Sequence, residues 1–170
     1  RTTLAQRLCA LFDKGFPVQE AVGFLADAAA PARAVVLQAL FDTGSVLDKA
    51  SEEALVEDAR KEAAEAYHGW SSVAALTEGA AEPLSLLRFV LADDVIDERV
   101  SDIILIAAML DSGGQIRKIV PRLRHENRHV RARALEVLDN VGNIKLNHWL
   151  TELIETGDAA AQARKARALY

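Results

Sequence analysis

The chain has 170 residues, a formal net charge of −5 and a composition that is 51% apolar and 26% charged. A chain of this length hides about 70% of its unfolded surface in one domain, so it needs no disulfide or metal staple, and its apolar content excludes a disordered chain. Proline (4) and glycine (9) are too few for a fibrous chain, and the longest clean apolar run, Ile103 to Leu110, falls far short of the ~20 residues that span a bilayer.

Alanine and leucine dominate, aromatics reach 5%, and strand-type alternation is almost absent, so the class is all-α. Thr3 to Asp13 carries Leu4, Leu8, Leu11 and Phe12 on one face and stops at Gly15. Pro17 opens a second helix with Val18, Ala21, Val22 and Leu25 at helical spacing, and Pro31 opens a third that closes at Gly44. Ser45 and Asp48 predict a capping box, followed by a charged helix from Ser51 to Tyr67 and a shorter one from Trp70 to Leu76. Pro83 to Ala92, Asp97 to Leu110, Ile116 to Arg124, Val130 to Val141, Lys145 to Glu155 and Ala159 to Leu169 complete about ten helices. Cys9 is the single cysteine and cannot form an internal disulfide, which suits the reducing cytoplasm. The start at Arg1 rather than Met, without a signal peptide, predicts a piece of a longer protein.

Three stretches share a spacing. Leu25, Leu91 and Leu123 are each followed eight residues later by arginine, at Arg33, Arg99 and Arg131. The first and third copies also pair Ala34 with Ala132, Leu37 with Leu135, Leu40 with Leu138 and Gly44 with Gly142, six identities in twenty aligned positions. The copies start 66 and 32 residues apart, which leaves Ser45 to Gly79 in the slot of a degenerate copy. A lone helical hairpin cannot bury its apolar stripe, so repeats of this kind predict a stack. The recurring arginines suit a structural task, bonding carboxylates or carbonyls of the turns.

The last copy, Ile119-Val120-Pro121-Arg122-Leu123, a polar turn, and Val130-Arg131-Ala132-Arg133-Ala134-Leu135-Glu136-Val137-Leu138, resembles a HEAT repeat, with Pro in the first helix and a Val-Arg pair opening the second. That resemblance implies a right-handed α-solenoid of stacked antiparallel hairpins, related to armadillo-like arrays, and a scaffold that binds protein. The string Arg131 to Asn140, preceded by the helix Ile103 to Leu110, is similar to the HEAT-like cytoplasmic region of bacterial proteins that carry an ATP/ADP-translocase-like membrane domain. This further resemblance implies a domain attached to a membrane protein at its inner face, in the cytoplasm, with a cyclic-nucleotide module in some relatives.

Two strings carry the letters of catalytic motifs. His125-Glu126-Asn127-Arg128-His129 fits H-E-x-x-H, in which two imidazoles one helical turn apart hold zinc and the glutamate activates its water. Zinc hydrolysis with Glu126 as base is the alternative reading. The aligned copy has Pro31 where this one has His129, which predicts a helix break between the histidines and a solvated turn. Asp93-Asp94-Val95-Ile96-Asp97 matches the D-D-x-x-D of all-helical isoprenoid synthases, yet 5% aromatics leave little for a lined cavity, and the aspartates suit helix capping instead. Cys9, Tyr67, His68 and Met109 read as packing or surface groups, and Gly113-Gly114 lacks the Lys-Ser/Thr of a phosphate loop. No metal or organic cofactor is expected.

Charge is the feature that rises above scaffold. Arg117, Lys118, Arg122, Arg124, Arg128, Arg131 and Arg133 face the lone Glu126 within residues 117–133, a local net of +6, whereas residues 1–116 carry −10. Such a block attracts an acidic or phosphate-rich partner at long range, or neutralises the acidic stretch Glu52 to Glu65. Nucleic acid and anionic membrane are the weaker readings, because the chain is acidic and the block has no interleaved Phe, Tyr or Trp. The sequence therefore predicts a non-enzymatic module that binds another protein or another domain of its own chain, with these seven cations as the contact region.

Overall fold

The computed structural model describes residues 3–77, 96–123, 125 and 127–155. Eight helices lie within them: α1 (Leu4–Phe12), α2 (Val18–Leu25), α3 (Ala30–Thr43), α4 (Lys49–Thr77), α5 (Asp97–Leu110), α6 (Gln115–Leu123), α7 (Arg128–Asn140) and α8 (Ile144–Glu155). The helices expected at 83–92 and 159–169, and the middle copy's Leu91, lie outside the described residues.

Local chemistry sets the helix ends. Thr3 and Gln6 form a reciprocal capping box at the start of α1, with bonds of 2.9 and 3.3 Å. Pro17 is the N-cap of α2, and α3 closes on Gly44 at φ 61°, a left-handed C-cap that suits glycine. The box expected at Ser45 is not formed. Asp48 instead takes the Ser51 N–H at 2.8 Å to open α4, and the Ser45 hydroxyl meets that of Thr43 at 2.7 Å. At α7 the Asn127 side chain accepts the His129 N–H at 2.9 Å.

The expected break near Trp70 is also absent: α4 runs unbroken for 29 residues through Gly69. The glycine costs helix propensity but solves a packing problem, since a Cβ there would stand 3.0 Å from Ile96 Cγ1.

One contiguous core joins Leu25, Leu37 and Leu40 to Leu55 and Tyr67, and onward through Ile103, Ile106, Ile116, Leu138 and Leu146. The helix contacts criss-cross. α3 packs on α1 and α5, α4 on α2, α5 and α8, and α5 on α6 and α8 as well. This corrects the expected right-handed solenoid of about ten helices, and with it the HEAT-repeat and armadillo-like reading. In a solenoid each unit touches only its sequence neighbours. Here the described part of the Ser45 to Gly79 slot, residues 45–77, holds no degenerate hairpin; its one long helix, ~44 Å end to end at 1.5 Å per residue, reaches both α2 and α8. The chain forms an eight-helix bundle among the described residues. None of these helices is long and apolar enough to cross a membrane.

Candidate functional site

The described members of the basic block fall on α6 and α7. On α6, Ile116, Ile119 and Leu123 are buried, which turns Arg117, Lys118 and Arg122 outward. On α7, Ala134, Leu135 and Leu138 face the core, leaving Arg128 and Arg133 exposed and Arg131 half-buried. Arg124 lies outside the described residues.

The six described cations divide by what they touch. Arg117 sits 4.0 Å from the Phe41 ring centroid and donates to the Phe41 carbonyl, so it fastens α6 to α3. Arg131 donates to the His125 carbonyl at 2.9 Å, closing the α6–α7 turn. Lys118, Arg122, Arg128 and Arg133 make no side-chain hydrogen bond or ion pair among the described residues. α7 has no acidic residue in its first turn and begins with Arg128. A cation there opposes the helix macrodipole, a local cost set against the gain from the Asn127 cap.

The H-E-x-x-H string is split by the fold. α6 ends at Leu123, His125 stands in the turn and His129 is the second residue of α7, so the two imidazoles are not stacked on one helical turn. His125 Nδ1 already accepts the Asn127 N–H at 3.0 Å, and Glu126 lies outside the described residues. Of the aspartate-rich string only Ile96 and Asp97 are described; Ile96 is buried and Asp97 opens α5. Among the described residues no group of three or more His, Cys, Asp or Glu is placed to hold a metal ion. At Gly113-Gly114 the Asp111 carboxylate takes the N–H groups of Gly113 and Ile116, at 2.9 and 2.7 Å, so donors that a phosphate would need are already used. Burial pushes the Cys9 thiol up, with Asp42 and Asp13 adding to the rise, which disfavours the nucleophilic thiolate.

Sequence reasoning missed a buried ionic network at the centre of the bundle. Arg33 donates to Leu25 O at the end of α2 (2.9 Å), to Asp102 of α5 (3.2 Å) and to Asp58 of α4, with Glu62 3.4 Å away. Arg99 extends the cluster, holding Glu62 at 2.6 Å and Glu65 at 3.9 Å. Burial pushes the Asp102 carboxyl up to about 7 against the pull of Arg33, with Glu62 and Glu98 adding to the rise. Asp58 is raised by burial too, again against Arg33. Asp102 Oδ1 is buried without a hydrogen-bond partner among the described residues, a setting that favours the neutral carboxyl. The recurring arginine spacing was the one signal pointing here: Arg33 and Arg131 each bond a carbonyl of the preceding helix end or turn.

Two of the recesses formed by the described residues lie near the groups of the basic block. One, of about 200 Å³, is lined by Trp70, Ile96, Val100, Leu123 and Leu153, with Asp97, Arg131 and Ile154. That volume is below the roughly 300 Å³ at which small-molecule sites begin. The other, an open groove of about 420 Å³, runs along α7. The network lines neither. No family model, curated protein or solved structure matches the chain, so the resemblance of residues 131–140 to a transporter-associated region has no matched family behind it.

Proposed function

We propose that this domain is a non-catalytic helical module that binds an acidic polypeptide, either another protein or another domain of its own chain. The observation that carries the reading is the set Lys118, Arg122, Arg128 and Arg133, four exposed cations on adjacent helices without ion-pair partners among the described residues, in a chain whose net charge is −5. Arg128 stands at the start of α7, against the helix macrodipole, and the other three cations make no ion pair within the described fold, which is the pattern of charge kept for a partner rather than for the fold. The absence of Phe, Tyr and Trp from residues 117–133 favours an acidic protein surface over single-stranded nucleic acid. The similarity of Arg131 to Asn140 to a transporter-associated region supports a place beside a membrane domain of the same chain, at its cytoplasmic face.

The test is fluorescence anisotropy with a labelled poly-glutamate peptide and a single-stranded DNA of equal length, at low and physiological salt. We expect peptide binding that weakens with salt and is lost in Lys118→Glu/Arg122→Glu/Arg133→Glu. No peptide binding at low salt, unchanged binding by that triple variant, or tighter binding of the DNA would each overturn the proposal.

A further inference from the structure

The groove along α7 is lined by Arg128, Arg131, Ala132, Leu135, Glu136 and Asp139. These positions form one stripe of the helix, since they recur at intervals of three, four and seven. Their charges are zoned. The two arginines occupy the N-terminal half, the two carboxylates the C-terminal half, and Ala132 with Leu135 lies between.

The zoning is self-complementary. Two α7 helices laid antiparallel across a two-fold axis bring together residues whose numbers share one sum. Placing Arg128 against Asp139 of the second copy forces Arg131 against Glu136, with every pair formed twice, and sets the exposed Ala132 beside the axis, while Leu135 stays in its own core. The small side chain at the axis permits the 8–10 Å approach of packed helices. The groove's four charges sum to zero and pair fully in this arrangement, whereas a parallel in-register pair sets like charges together and any other antiparallel register leaves some of the four unpaired. In the single chain Arg128 and Glu136 have no side-chain partner among the described residues. Arg131 spends one donor on His125 O, and Asp139 accepts one bond, from Thr151 at 2.8 Å. Each keeps capacity for a second partner.

We infer that the α7 groove is a homodimer contact, occupied by α7 of a second copy in antiparallel two-fold register. It goes beyond the acidic-partner reading, of whose four cations only Arg128 lines this groove while Lys118, Arg122 and Arg133 do not. One helix pair buries less area than the roughly 1,200 Å² of a stable interface, so the dimer is reversible and concentration-dependent.

The test is sedimentation equilibrium of the full chain up to about 0.5 mM protein, a range that reads millimolar affinity. We expect a monomer–dimer equilibrium. Arg128→Glu or Asp139→Arg alone places like charges opposite each other twice and weakens dimerisation about tenfold or more. The double variant Arg128→Glu/Asp139→Arg reverses both pairs and restores it, as does an equimolar mixture of the two single variants. Ala132→Glu, at an exposed position, blocks the axis without touching the core, and circular dichroism confirms that each variant is folded. Monomer at every concentration, species larger than a dimer, single variants that dimerise like the parent, or a folded double variant that stays monomeric would overturn the inference. The poly-glutamate result can fail or succeed independently, because its triple variant leaves the groove intact.

Discussion

Arg33 and Asp102, 69 residues apart in sequence, meet at 3.2 Å with both side chains almost fully buried. With Asp58 on the same guanidinium, this contact ties α3, α4 and α5 at the centre of the bundle. Removing the cation strands buried carboxylates, and breaking a buried pair in this way costs about 3–5 kcal/mol. Arg33→Met should lose that much in urea unfolding. Arg33→Lys should recover only part, because one ammonium cannot serve Leu25 O, Asp58 and Asp102 in the directions of the guanidinium fork.

Asp102 makes stability depend on pH with a definite sign. Its carboxyl is raised to about 7 in the folded protein and returns to about 3.9 in the unfolded chain. Between these values the folded state holds more protons than the unfolded one. The stabilisation from the protonated group is therefore complete below about pH 4 and is lost as pH rises through 7. The urea midpoint should fall from pH 5 to pH 8, and Asp102→Asn should flatten that slope. An Asp102→Asn profile parallel to the parent's would show that the titrating group lies elsewhere.

Two left-handed glycines separate backbone strain from crowding. Gly44 has φ +61° with nothing within 4 Å of a would-be Cβ, whereas Gly142 has φ +76° and Ile116 Cδ1 at 3.2 Å. Gly44→Ala should cost about 1 kcal/mol from conformation alone. Gly142→Ala should cost more, and the excess over Gly44→Ala should shrink when Ile116 is shortened to Val.

Asn147 of α8 is buried and closes the end of α7, donating to Leu138 O at 2.6 Å and to Val141 O. Asn147→Ala should destabilise by about 1–3 kcal/mol, the cost of leaving buried carbonyls unmet. Asn147→Asp should be worse than alanine at pH 7, since it sets a carboxylate against those same oxygens. Chemical denaturation of both variants checks the order.

Local chemistry was legible in the sequence and long-range geometry was not. Pro17, Gly44 and the break between His125 and His129 follow from residues within a few positions of each other, so chain order alone exposes them. The copy-to-copy match of Leu37 with Leu135 and Leu40 with Leu138 is real as helix periodicity, since these positions are buried in α3 and α7. It did not imply stacked units, because similar amphipathic stripes serve any arrangement of packed helices. The break expected between Tyr67 and Trp70 is absent because α4 carries Gly69 through against Ile96, a close approach from a distant part of the chain. The acidic stretch Glu52 to Glu65 reads in the sequence as a counter-charge for the basic block, yet Asp58 and Glu62 turn inward to meet Arg33. Of the basic block, Arg117 was indistinguishable from its neighbours until Phe41 was seen beneath it.

The length of α4 has a consequence for how the molecule comes apart. Asp48, just before its first turn, takes a bond from Gln19 of α2 at 3.2 Å, and Tyr67, five turns on, donates to Glu152 of α8 at 3.2 Å. A single rod thus ties α2 to α8, and of the described helices α1, which packs on α3 and has no buried residue, is the one outside this clamp. Heating should produce one sharp transition, with the indole signals of Trp70 and Trp149 vanishing together and calorimetric and van't Hoff enthalpies agreeing.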